Sequence, residues 1–356
     1  MLKTHDCGDL RAEHVGQQIT LAGWVNRRRD HGGLTFLDLR DRSGVAQVVA
    51  NPAISSAAHA TAAEVRPEWV LHIAGIVRLR PAGMQNPELA TGAVEVEVHE
   101  LRVLNPAKTP PFLINEESEV EEMVRLQYRY LDLRRERMRR NLELRHKVIK
   151  YIRDFLDRRG FLEIETPILF KATPEGARDY LVPSRLYPGE VYALPQSPQQ
   201  LKQLLMVAGL ERYFQIARCF RDEDQRGDRQ PEFTQLDLEM SFVEREDVMA
   251  LLEELYTDLV NSLFPERPVQ ATPWPRLTYR EALDRFGTDR PDLRFGMELK
   301  DVSDLAAGSG FQVFEAVIAG GGEVRAINAK GCGGFSRREI EELTQLVAPV
   351  GAQGLA

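Results

Sequence analysis

Cysteine is scarce in this sequence. The 356 residues include three cysteines, Cys7, Cys219 and Cys332, which lie far apart in the chain. Their positions show no zinc-ligand spacing. Free thiols at such a low frequency are typical of a reducing compartment, and we therefore expect a cytoplasmic protein.

Long apolar runs are also missing. No apolar segment approaches the roughly 20 residues that a membrane-spanning helix needs. The N-terminal sequence MLKTHDCGDLRAEH contains no apolar core of a signal peptide. We therefore expect neither a membrane anchor nor export.

An excess of positive charge is lacking as well. The formal net charge is −8, with 46 Lys and Arg residues against 54 Asp and Glu residues. This balance argues against a general nucleic-acid binder, so any RNA contact must come from local basic patches. The length and the 43% of hydrophobic residues predict two or three domains with cores of their own.

Residues 213–242 form the most informative stretch and predict two strands joined by a charged loop. Apolar residues recur with period two over 213–220, and alternation returns over 234–242. The second strand has an apolar face formed by Leu236, Leu238, Met240 and Phe242. Its other face is polar and consists of Gln235, Asp237, Glu239 and Ser241. Such a face lies against water or lines a polar cleft.

The loop 221–229 between these strands carries three arginines among four carboxylates, with Gly227 permitting a tight backbone. One interpretation is a solvated hairpin tip, which is what most charge runs are. The other is a polyanion site at the end of a sheet, since arginine binds phosphate through two parallel hydrogen bonds. The direct passage from an apolar strand to Arg-Asp-Glu-Asp, without a turn residue, favours the second interpretation.

The sequence FRDED followed by RQPEFTQLD resembles motif 2 of the class II aminoacyl-tRNA synthetases, in the form found in bacterial-type aspartyl enzymes. The resemblance is specific and covers nearly the whole chain. It implies an α+β multidomain fold. The expected order is a five-stranded OB-fold anticodon-binding barrel (1–105), a hinge (106–140), a class II catalytic domain with an antiparallel sheet (141–290) and the start of an insertion domain (291–356).

The residues independently predict a small β-barrel at the N-terminus. Short, alternating, β-branched segments occupy residues 19–26, 34–39, 45–50, 69–79 and 94–103. Arg27, Arg28 and Arg29 are expected at the end of the first strand, with Phe36 and Gln47 on the next two strands. Phe36 belongs either to the core, beside a solvated arginine rim, or to a surface that stacks on unpaired bases.

The resemblance implies that this barrel binds the anticodon of tRNA-Asp. Phe36 then stacks on the central anticodon base, while Arg29 and Gln47 hydrogen-bond to anticodon bases. His31 and Gly83 lie in loops near the last anticodon base, where they bear on whether tRNA-Asn is also accepted.

Two further segments connect the barrel to motif 2. The arginine-rich residues 125–140 predict a basic helix, which either is simply solvated or contacts the tRNA backbone. A helix over 142–158 and a strand over 161–166, ended by Pro167, resemble motif 1. In the family motif 1 builds the interface of a homodimer.

The resemblance also assigns the substrate pocket. By spacing alone Glu175 is a surface carboxylate and Lys202 a solvated helix residue. By resemblance Glu175 contacts the α-ammonium of L-aspartate, Lys202 pairs with the side-chain carboxylate of that substrate, and Gln199 lies in the same wall. An unpaired buried lysine would penalise asparagine, which has no side-chain charge.

The implied reaction has two steps. The aspartate carboxylate attacks the α-phosphate of ATP and releases pyrophosphate, and the 3′-terminal ribose of tRNA then takes the aspartyl group. Arg221 bridges the reacting carboxylate and phosphate and serves as the catalytic residue with Glu223, which touches the adenine side. Asp222 and Gln230 complete the ATP site, and Mg²⁺ accompanies the phosphates. We expect no separate metal site.

Helical spacing over 246–264 and a segment at 279–286 lead into the expected insertion. The glycine runs at 320–322 and 331–334 predict turns, because neither precedes a helix with GK[ST]. The Gly-rich strand and terminal arginine of motif 3 are not found, so we expect a chain truncated before motif 3. Two alternatives are an asparaginyl or lysyl relative, which Lys202 disfavours, and a non-catalytic tRNA-binding paralogue.

Overall fold

The computed structural model describes residues 2–173 and 175–350. The chain forms two compact units, Met1–Phe242 and Val243–Ala356. The domain boundaries expected from the sequence, at 105, 140 and 290, stay predictions. The boundary expected at 140 falls inside a long helix that is described below.

The N-terminal part of the first unit is a closed five-stranded barrel, as predicted. Its strands are β1 (Gln18–His31), β2 (Leu34–Arg40), β3 (Val45–Ala50), β4 (Val70–Leu79) and β5 (Val94–Asn105). They are hydrogen-bonded in the order β1-β2-β3-β5-β4, and β4 also pairs with β1. The β3–β5 pair is parallel and the other pairs are antiparallel.

Alternation along each strand builds the barrel core. The inward positions are apolar and fully buried, among them Leu21, Val25, Leu37, Leu39, Val48 and Ile73. The outward positions are polar or half-buried. Gly32 and Gly33 have φ angles of +59° and +79°, which is the conformation of a tight turn that joins β1 to β2.

Two features of the barrel differ from the sequence expectation. The first strand does not end before the arginines: β1 continues to His31, and Arg27, Arg28 and Arg29 all pair with β2. A helix, α1 (Ser56–Glu64), was not predicted. The Ser55 side chain caps α1, and Ala58 and Ala62 are buried in the barrel core. Since alanine supplies little apolar contrast, this helix lacks the amphipathic pattern that reveals helices in a sequence.

The connector is broken into short helices where one basic helix was expected. It contains α2 (Glu122–Gln127) and α3 (Arg129–Asp132), and then α4 (Glu136–Asp157) begins. The break follows from Asp132, whose fully buried carboxylate gathers Arg125, Arg129 and Arg135 from three successive segments.

After α4 the first unit forms a sheet around the charged hairpin. The elements are β6 (Leu162–Glu163), β7 (Leu181–Pro183), β8 (Val191–Ala193), α5 (Gln199–Val207), β9 (Arg212–Phe220) and β10 (Glu232–Met240). The order of the three-stranded sheet is β10-β9-β6, and β7 pairs with β8. The two strands β9 and β10 are antiparallel, as predicted.

The hairpin has two different faces. On one face Ile216 and Leu236 border a groove with the α4 residues Leu144 and Val148. The other face carries polar groups, including the buried Asp237. Phe242 was expected on the apolar face, but β10 ends at Met240. Phe242 has a φ angle of +58° and is 93% exposed. The strand expected over 161–166 is also shorter, because only Leu162 and Glu163 pair with β9.

The second unit contains mainly helices. They are α6 (Arg245–Leu263), α7 (Tyr279–Phe286), α8 (Ser303–Ala306), α9 (Gln312–Ala319) and α10 (Arg337–Val347), with a two-stranded sheet of β11 (Leu299–Asp301) and β12 (Arg325–Ile327). Both glycine runs lie in turns or loop backbone, as predicted. Within the described residues no helix is both long and apolar enough to cross a membrane.

Candidate functional site

Arg221 is the first residue after β9, and the hairpin holds it in place. Its backbone N–H donates to the Pro231 carbonyl at 2.8 Å. Its guanidinium carbon lies 5.1 Å from the centroid of the Phe233 ring. The Nε atom is buried and has no hydrogen-bond partner among the described residues. A buried donor without a partner is costly, and at a sheet edge it points to an absent acceptor such as a carboxylate or phosphate.

An open pocket of about 600 Å³ lies beside the motif 2 loop. It is lined by Gly176, Ala177, Arg178, Asp222, Glu223, Asp224, Arg226 and Arg229. The Asp222 N–H donates to the Arg178 carbonyl at 3.0 Å, which ties the loop 175–179 to motif 2. The side chains of residues 222–230 are exposed, including Gln230. Arginines with solvated side chains around an open pocket suit a polyphosphate.

Lys202 lies in α5 and faces the polar side of β10. Its Nζ atom is 2.8 Å from Asp237 Oδ1 and 3.3 Å from Glu239 Oε2. Burial works to lower the pKa of Lys202, but the hydrogen bond and charge of Asp237, together with Glu239, outweigh burial and raise that pKa. Lys202 is therefore a half-buried cation rather than the solvated helix residue that spacing alone suggested.

Asp237 and Glu239 were not singled out as site residues from the sequence. The signal for them was the polar face of the second strand, which faces Lys202 of α5. Gln235 Nε2 donates to Asp237 Oδ2 at 2.7 Å and orients that carboxylate.

Glu175 is held by two hydroxyl groups. Ser197 Oγ donates to Glu175 Oε2 at 2.6 Å, and Thr173 Oγ1 lies 3.3 Å from Glu175 Oε1. The backbone N–H of Gln199 in turn donates to Ser197 Oγ at 3.2 Å. Ser197 therefore connects Glu175 to the start of α5, where both Gln199 and Lys202 lie.

Gln196 is a third residue that the sequence did not single out. Its side chain is 1% exposed and forms two hydrogen bonds with the Ala177 backbone, at 2.9 and 3.1 Å. It also donates to Asp179 Oδ1 at 2.5 Å. These bonds fix the loop that carries Glu175. A lone glutamine after a proline gives no signal of this role in the sequence.

The thiol of Cys219 is buried in β9, close to the motif 2 loop. Burial raises the pKa of Cys219 to about 11, and the negative charges of Asp237 and Glu175 add to that effect, while Arg221 opposes it. Asp237 lies opposite Gln215 of β9, and Gln215 is four residues from Cys219, so Asp237 and Cys219 share one face of the hairpin. The structure brings together the residues predicted for aspartate, and Glu223 and Gln230 extend into the solvated loop.

Three of the predicted anticodon residues, Arg29, Phe36 and Gln47, lie on the outer face of β1, β2 and β3. Arg29 lies opposite Phe36, and Gln47 lies opposite Asp38. Arg29 Nη2 donates to Asp38 Oδ1 at 2.8 Å and to Gln47 Oε1 at 3.2 Å. Phe36 is half-buried on this face, whereas its neighbours Leu37 and Leu39 fill the core. The core interpretation of Phe36 is therefore wrong.

The three consecutive arginines of β1 have three different environments. Arg27 forms an ion pair with Glu116 of the connector at 3.1 Å. Arg28 donates to the Ala63 carbonyl at the end of α1 and pairs with Asp30 at 2.6 Å. Only Arg29 lies beside Gln47, which singles it out among the three.

The same face contains two groups that the sequence analysis did not name. Gln47 Nε2 donates to Glu95 Oε2 at 2.8 Å. Arg80 is 7% exposed, its Nε donates to the Val94 carbonyl, and its Nη2 has no partner within the described part of the chain. Burial lowers the pKa of Arg80, against the charges of Glu95 and Asp38. His31 and Gly83 are exposed, at the end of β1 and in a turn.

Comparison with known proteins agrees with this geometry. Residues 121–342 match the tRNA synthetases class II (D, K and N), and residues 19–104 match the OB-fold nucleic acid binding domain. The aspartate–tRNA(Asp/Asn) ligase of Rubrobacter xylanophilus is 61% identical over 354 residues, which are 99% of this chain and 59% of that protein. The corresponding ligase of Moorella thermoacetica is also 61% identical, with 99% and 58% covered.

A solved structure shares the fold. The asparaginyl-tRNA synthetase from Pyrococcus horikoshii, complexed with asparaginyl-adenylate, aligns with a TM-score of 0.70 at 25% identity, over 85% of this chain and 71% of that one. The chain spans 59% of the length of the Rubrobacter relative. The match over residues 121–342 and the barrel before it show that the chain belongs to the class II tRNA synthetases (D, K and N) and is similar to the aspartate–tRNA(Asp/Asn) ligases among them.

Proposed function

We propose that this chain carries the ATP, aspartate and anticodon sites of an aspartate–tRNA ligase. The observation that carries the proposal is the buried, unpartnered Nε of Arg221, held over Phe233 at the edge of the sheet. It lies on the same side of the hairpin as Lys202, Asp237 and Glu175. A fixed cation on the same side as a lysine and carboxylates suits an amino acid that carries two carboxylates and one ammonium group.

The chemistry follows from the charges. The α-carboxylate of aspartate attacks the α-phosphorus of ATP, a new carboxylate–phosphate bond forms, and pyrophosphate leaves with the electrons of the broken bond. Negative charge accumulates on the α-phosphate oxygens, and Arg221 is placed to stabilise that charge without moving. The 3′-terminal ribose hydroxyl of the tRNA then attacks the activated carbonyl and releases AMP.

The remaining groups divide between the two substrates. Lys202 pairs with the side-chain carboxylate of aspartate, while Glu175 and its neighbour Gln199 receive the α-ammonium end. Asp222, Glu223 and Gln230 line the solvated side, where Glu223 meets the adenine. Because Lys202 already has two carboxylate partners, the substrate carboxylate competes with Asp237 and Glu239 for one ammonium group.

The outer face of the barrel takes the anticodon of tRNA-Asp. Phe36 offers a half-exposed ring for a base to stack on, beside the hydrogen-bonding groups of Arg29 and Gln47. The names of the relatives, aspartate–tRNA(Asp/Asn) ligase, support tRNA-Asn as a second acceptor, with His31 and Gly83 near the last anticodon base.

Three further parts of the proposal concern Mg²⁺, assembly and location. Mg²⁺ enters with ATP, since it is commonly held by phosphates and water. Residues 2–173 and 175–350 bring no three His, Cys, Asp or Glu side chains together as metal ligands.

A homodimer through motif 1 is supported by the exposed apolar side chains Leu162, Ile168 and Leu169 around Pro167. The buried free thiols of Cys7 and Cys219 suit the cytoplasm.

Aspartate-dependent ATP–pyrophosphate exchange tests the proposal. The chain is assayed with aspartate, asparagine or lysine as the amino acid. Exchange with aspartate alone supports the proposed activity, and exchange with asparagine or lysine instead contradicts the substrate. A second candidate, tRNA binding without activation, is favoured by the anticodon face, which lies wholly within the barrel. A folded chain that binds tRNA-Asp but exchanges with none of the three amino acids would establish that second function.

A further inference from the structure

Glu68 lies where the barrel meets the connector, and its backbone is unusual. Its φ angle is +66°, a left-handed conformation that favours glycine or asparagine. The backbone N–H is fixed by a 2.8 Å hydrogen bond to the Val25 carbonyl of β1. A residue with a long side chain in this conformation suggests that the side chain has a task that outweighs the strain.

The carboxylate of Glu68 joins two arginines from different parts of the chain. Its side chain is 5% exposed. Arg40 of β2 donates Nη2 to both carboxylate oxygens, at 2.8 and 3.0 Å. Arg134, just before α4, donates Nη1 to Glu68 Oε2 at 2.9 Å. The guanidinium of Arg134 also lies 5.0 Å from the ring centroid of Trp24 in β1.

Weaker contacts surround this ion triad and cross the same boundary. Trp69 Nε1 donates to the Ala107 carbonyl at 3.0 Å, and Asn115 Nδ2 donates to the Asn26 carbonyl at 2.8 Å. Arg139 of α4 donates to the Arg42 carbonyl at 2.6 Å. These contacts involve neutral or exposed groups. Glu68 is the buried charge among them, so its loss leaves Arg40 and Arg134 without a counter-charge.

The triad also explains the arginine-rich connector. Arg134 is held by Glu68, and Arg125, Arg129 and Arg135 are held by Asp132. Four arginines of this segment therefore form ion pairs within the protein. Neither a solvated helix nor contact with the RNA backbone, the two interpretations of the sequence, predicts these pairs.

We propose that Glu68 is a positioning residue that fixes the anticodon barrel against the start of α4, so that one tRNA meets the barrel and the β9–β10 hairpin at the same time. This inference rests on the proposed function, because it assigns the tRNA two separate contact regions. Binding at two rigidly linked sites exceeds binding at either site alone only when their separation matches the ligand. If the barrel is no longer fixed against α4, the additional affinity from binding at both sites is lost, although each site by itself is unchanged.

The test compares two RNAs on the full 356-residue chain, a tRNA-Asp transcript and the isolated anticodon stem-loop. The parent chain should bind the transcript more tightly than the stem-loop. Glu68→Gln, which keeps the shape and removes the charge, should leave stem-loop affinity unchanged and lower transcript affinity by at least about tenfold, out of the 10²–10⁴ that linkage can supply.

Asp41→Asn is the matched control. Asp41 is a buried barrel carboxylate that accepts from Lys3, Ser43 and the Cys7 backbone, and none of these partners belongs to the connector. It should change both affinities by the same factor. An equal loss for both RNAs in Glu68→Gln would show that Glu68 only stabilises the barrel, and would overturn the proposal.

A distance measurement separates this inference from the proposed function. Spin labels at Ala60→Cys in α1 and Lys147→Cys in α4, in a Cys332→Ser background, report the separation of barrel and helix without any RNA. Glu68→Gln should broaden the distance distribution and Asp41→Asn should not. An unchanged distribution overturns the role of Glu68. If the parent chain binds neither RNA, the proposed function fails, while the label distances still decide whether Glu68 holds the barrel.

Discussion

Single residues in this chain take their roles from their surroundings rather than from their type. Arg27, Arg28 and Arg29 are consecutive in one strand, yet they contact the connector, the end of α1 and the anticodon face. Arg218 of β9 and Arg221, which directly follows β9, differ in the same way. Arg218 pairs with Glu232 at 3.1 Å and is 51% exposed, whereas Arg221 has a buried Nε that lacks a partner in the described residues.

The contrast between these two arginines gives the first prediction. Arg221→Ala should lower aspartate-dependent pyrophosphate exchange by about 10²–10³-fold or more, the scale for removing a donor that stabilises a developing charge. Arg218→Ala should leave exchange within about twofold, because exposed ion pairs contribute little. Both variants should bind tRNA-Asp like the parent in a filter-binding assay. Comparable exchange in the two variants would remove Arg221 from the reaction.

The second prediction concerns Lys202. Lys202→Met keeps the length of the side chain but removes the charge, so aspartate should lose its advantage over asparagine in pyrophosphate exchange. The ratio of kcat/KM values should fall at least about tenfold, since only a charged substrate carboxylate can compete with Asp237 and Glu239 for the Lys202 ammonium. Lys150→Met, at an exposed pair with Asp154, is the control. An unaltered ratio would assign side-chain selection to another residue.

Whole elements show how tertiary contacts interrupt a regular pattern. The sequence pattern predicts one basic helix over 125–140. In the structure the segment instead forms α2, α3 and the start of α4, grouped around Asp132. Burial works to raise the pKa of Asp132, yet the hydrogen bond from Arg125 and the charges of Arg125, Arg129 and Arg135 outweigh it, so the pKa of this carboxyl is lowered.

This lowered pKa makes a pH-dependent prediction. A carboxyl whose pKa is lower in the folded state stabilises the fold above its unfolded value of about 3.9 and loses that contribution as the pH falls through the folded pKa. Asp132→Asn should therefore cost about 1.5–3 kcal/mol at pH 7, the scale of a charged hydrogen bond. The difference from the parent should shrink below about pH 4. Urea unfolding at several pH values measures it.

Asp154→Asn is the comparison for that experiment, because Asp154 is half-exposed and, among residues 2–173 and 175–350, its carboxylate pairs only with Lys150, at 2.6 Å. Its unfolding free energy should stay close to that of the parent at every pH. If the difference for Asp132→Asn is constant with pH, the charge of Asp132 does not hold the connector.

Phe36 of β2 gives a prediction about RNA binding. Phe36→Ala should weaken binding of the anticodon stem-loop by about 1–3 kcal/mol if a base stacks on the ring. Leu79→Ala, at an exposed apolar side chain of β4, is the control. Fluorescence anisotropy with the labelled stem-loop measures both. Equal affinities for the parent and Phe36→Ala would exclude stacking at this position.

The first unit as a whole presents an apolar surface that suits a second copy. Leu162, Ile168 and Leu169 are each about half exposed, at 50, 48 and 53%. We expect Leu169→Asp to weaken a motif 1 dimer at least about tenfold, because it places a charge in an apolar interface. Sedimentation velocity over a concentration series measures this. Leu79→Asp should not alter the association, and a Leu169→Asp chain that associates like the parent would place any dimer contact elsewhere.

The sequence by itself determined the elements whose pattern is local. The five barrel strands followed from period-two alternation, and the β9–β10 hairpin followed from the same alternation on either side of a charged loop. The amino-acid sequence of motif 2 identified the family without any knowledge of tertiary contacts. Helix α1 escaped this reasoning because alanines carry no apolar contrast, and Phe242 was misplaced because a strand end depends on pairing with its neighbour.

Only the tertiary structure decided which of many similar charges matter. The barrel places Glu95 beside Gln47, although the two residues lie 48 positions apart in the sequence. It also joins Lys202 to Asp237, buries Asp132 among three arginines and sets Glu68 between Arg40 and Arg134. The physical reason is that the energy of a charge depends on its burial and on its partners, and both are fixed by contacts between residues distant in the chain.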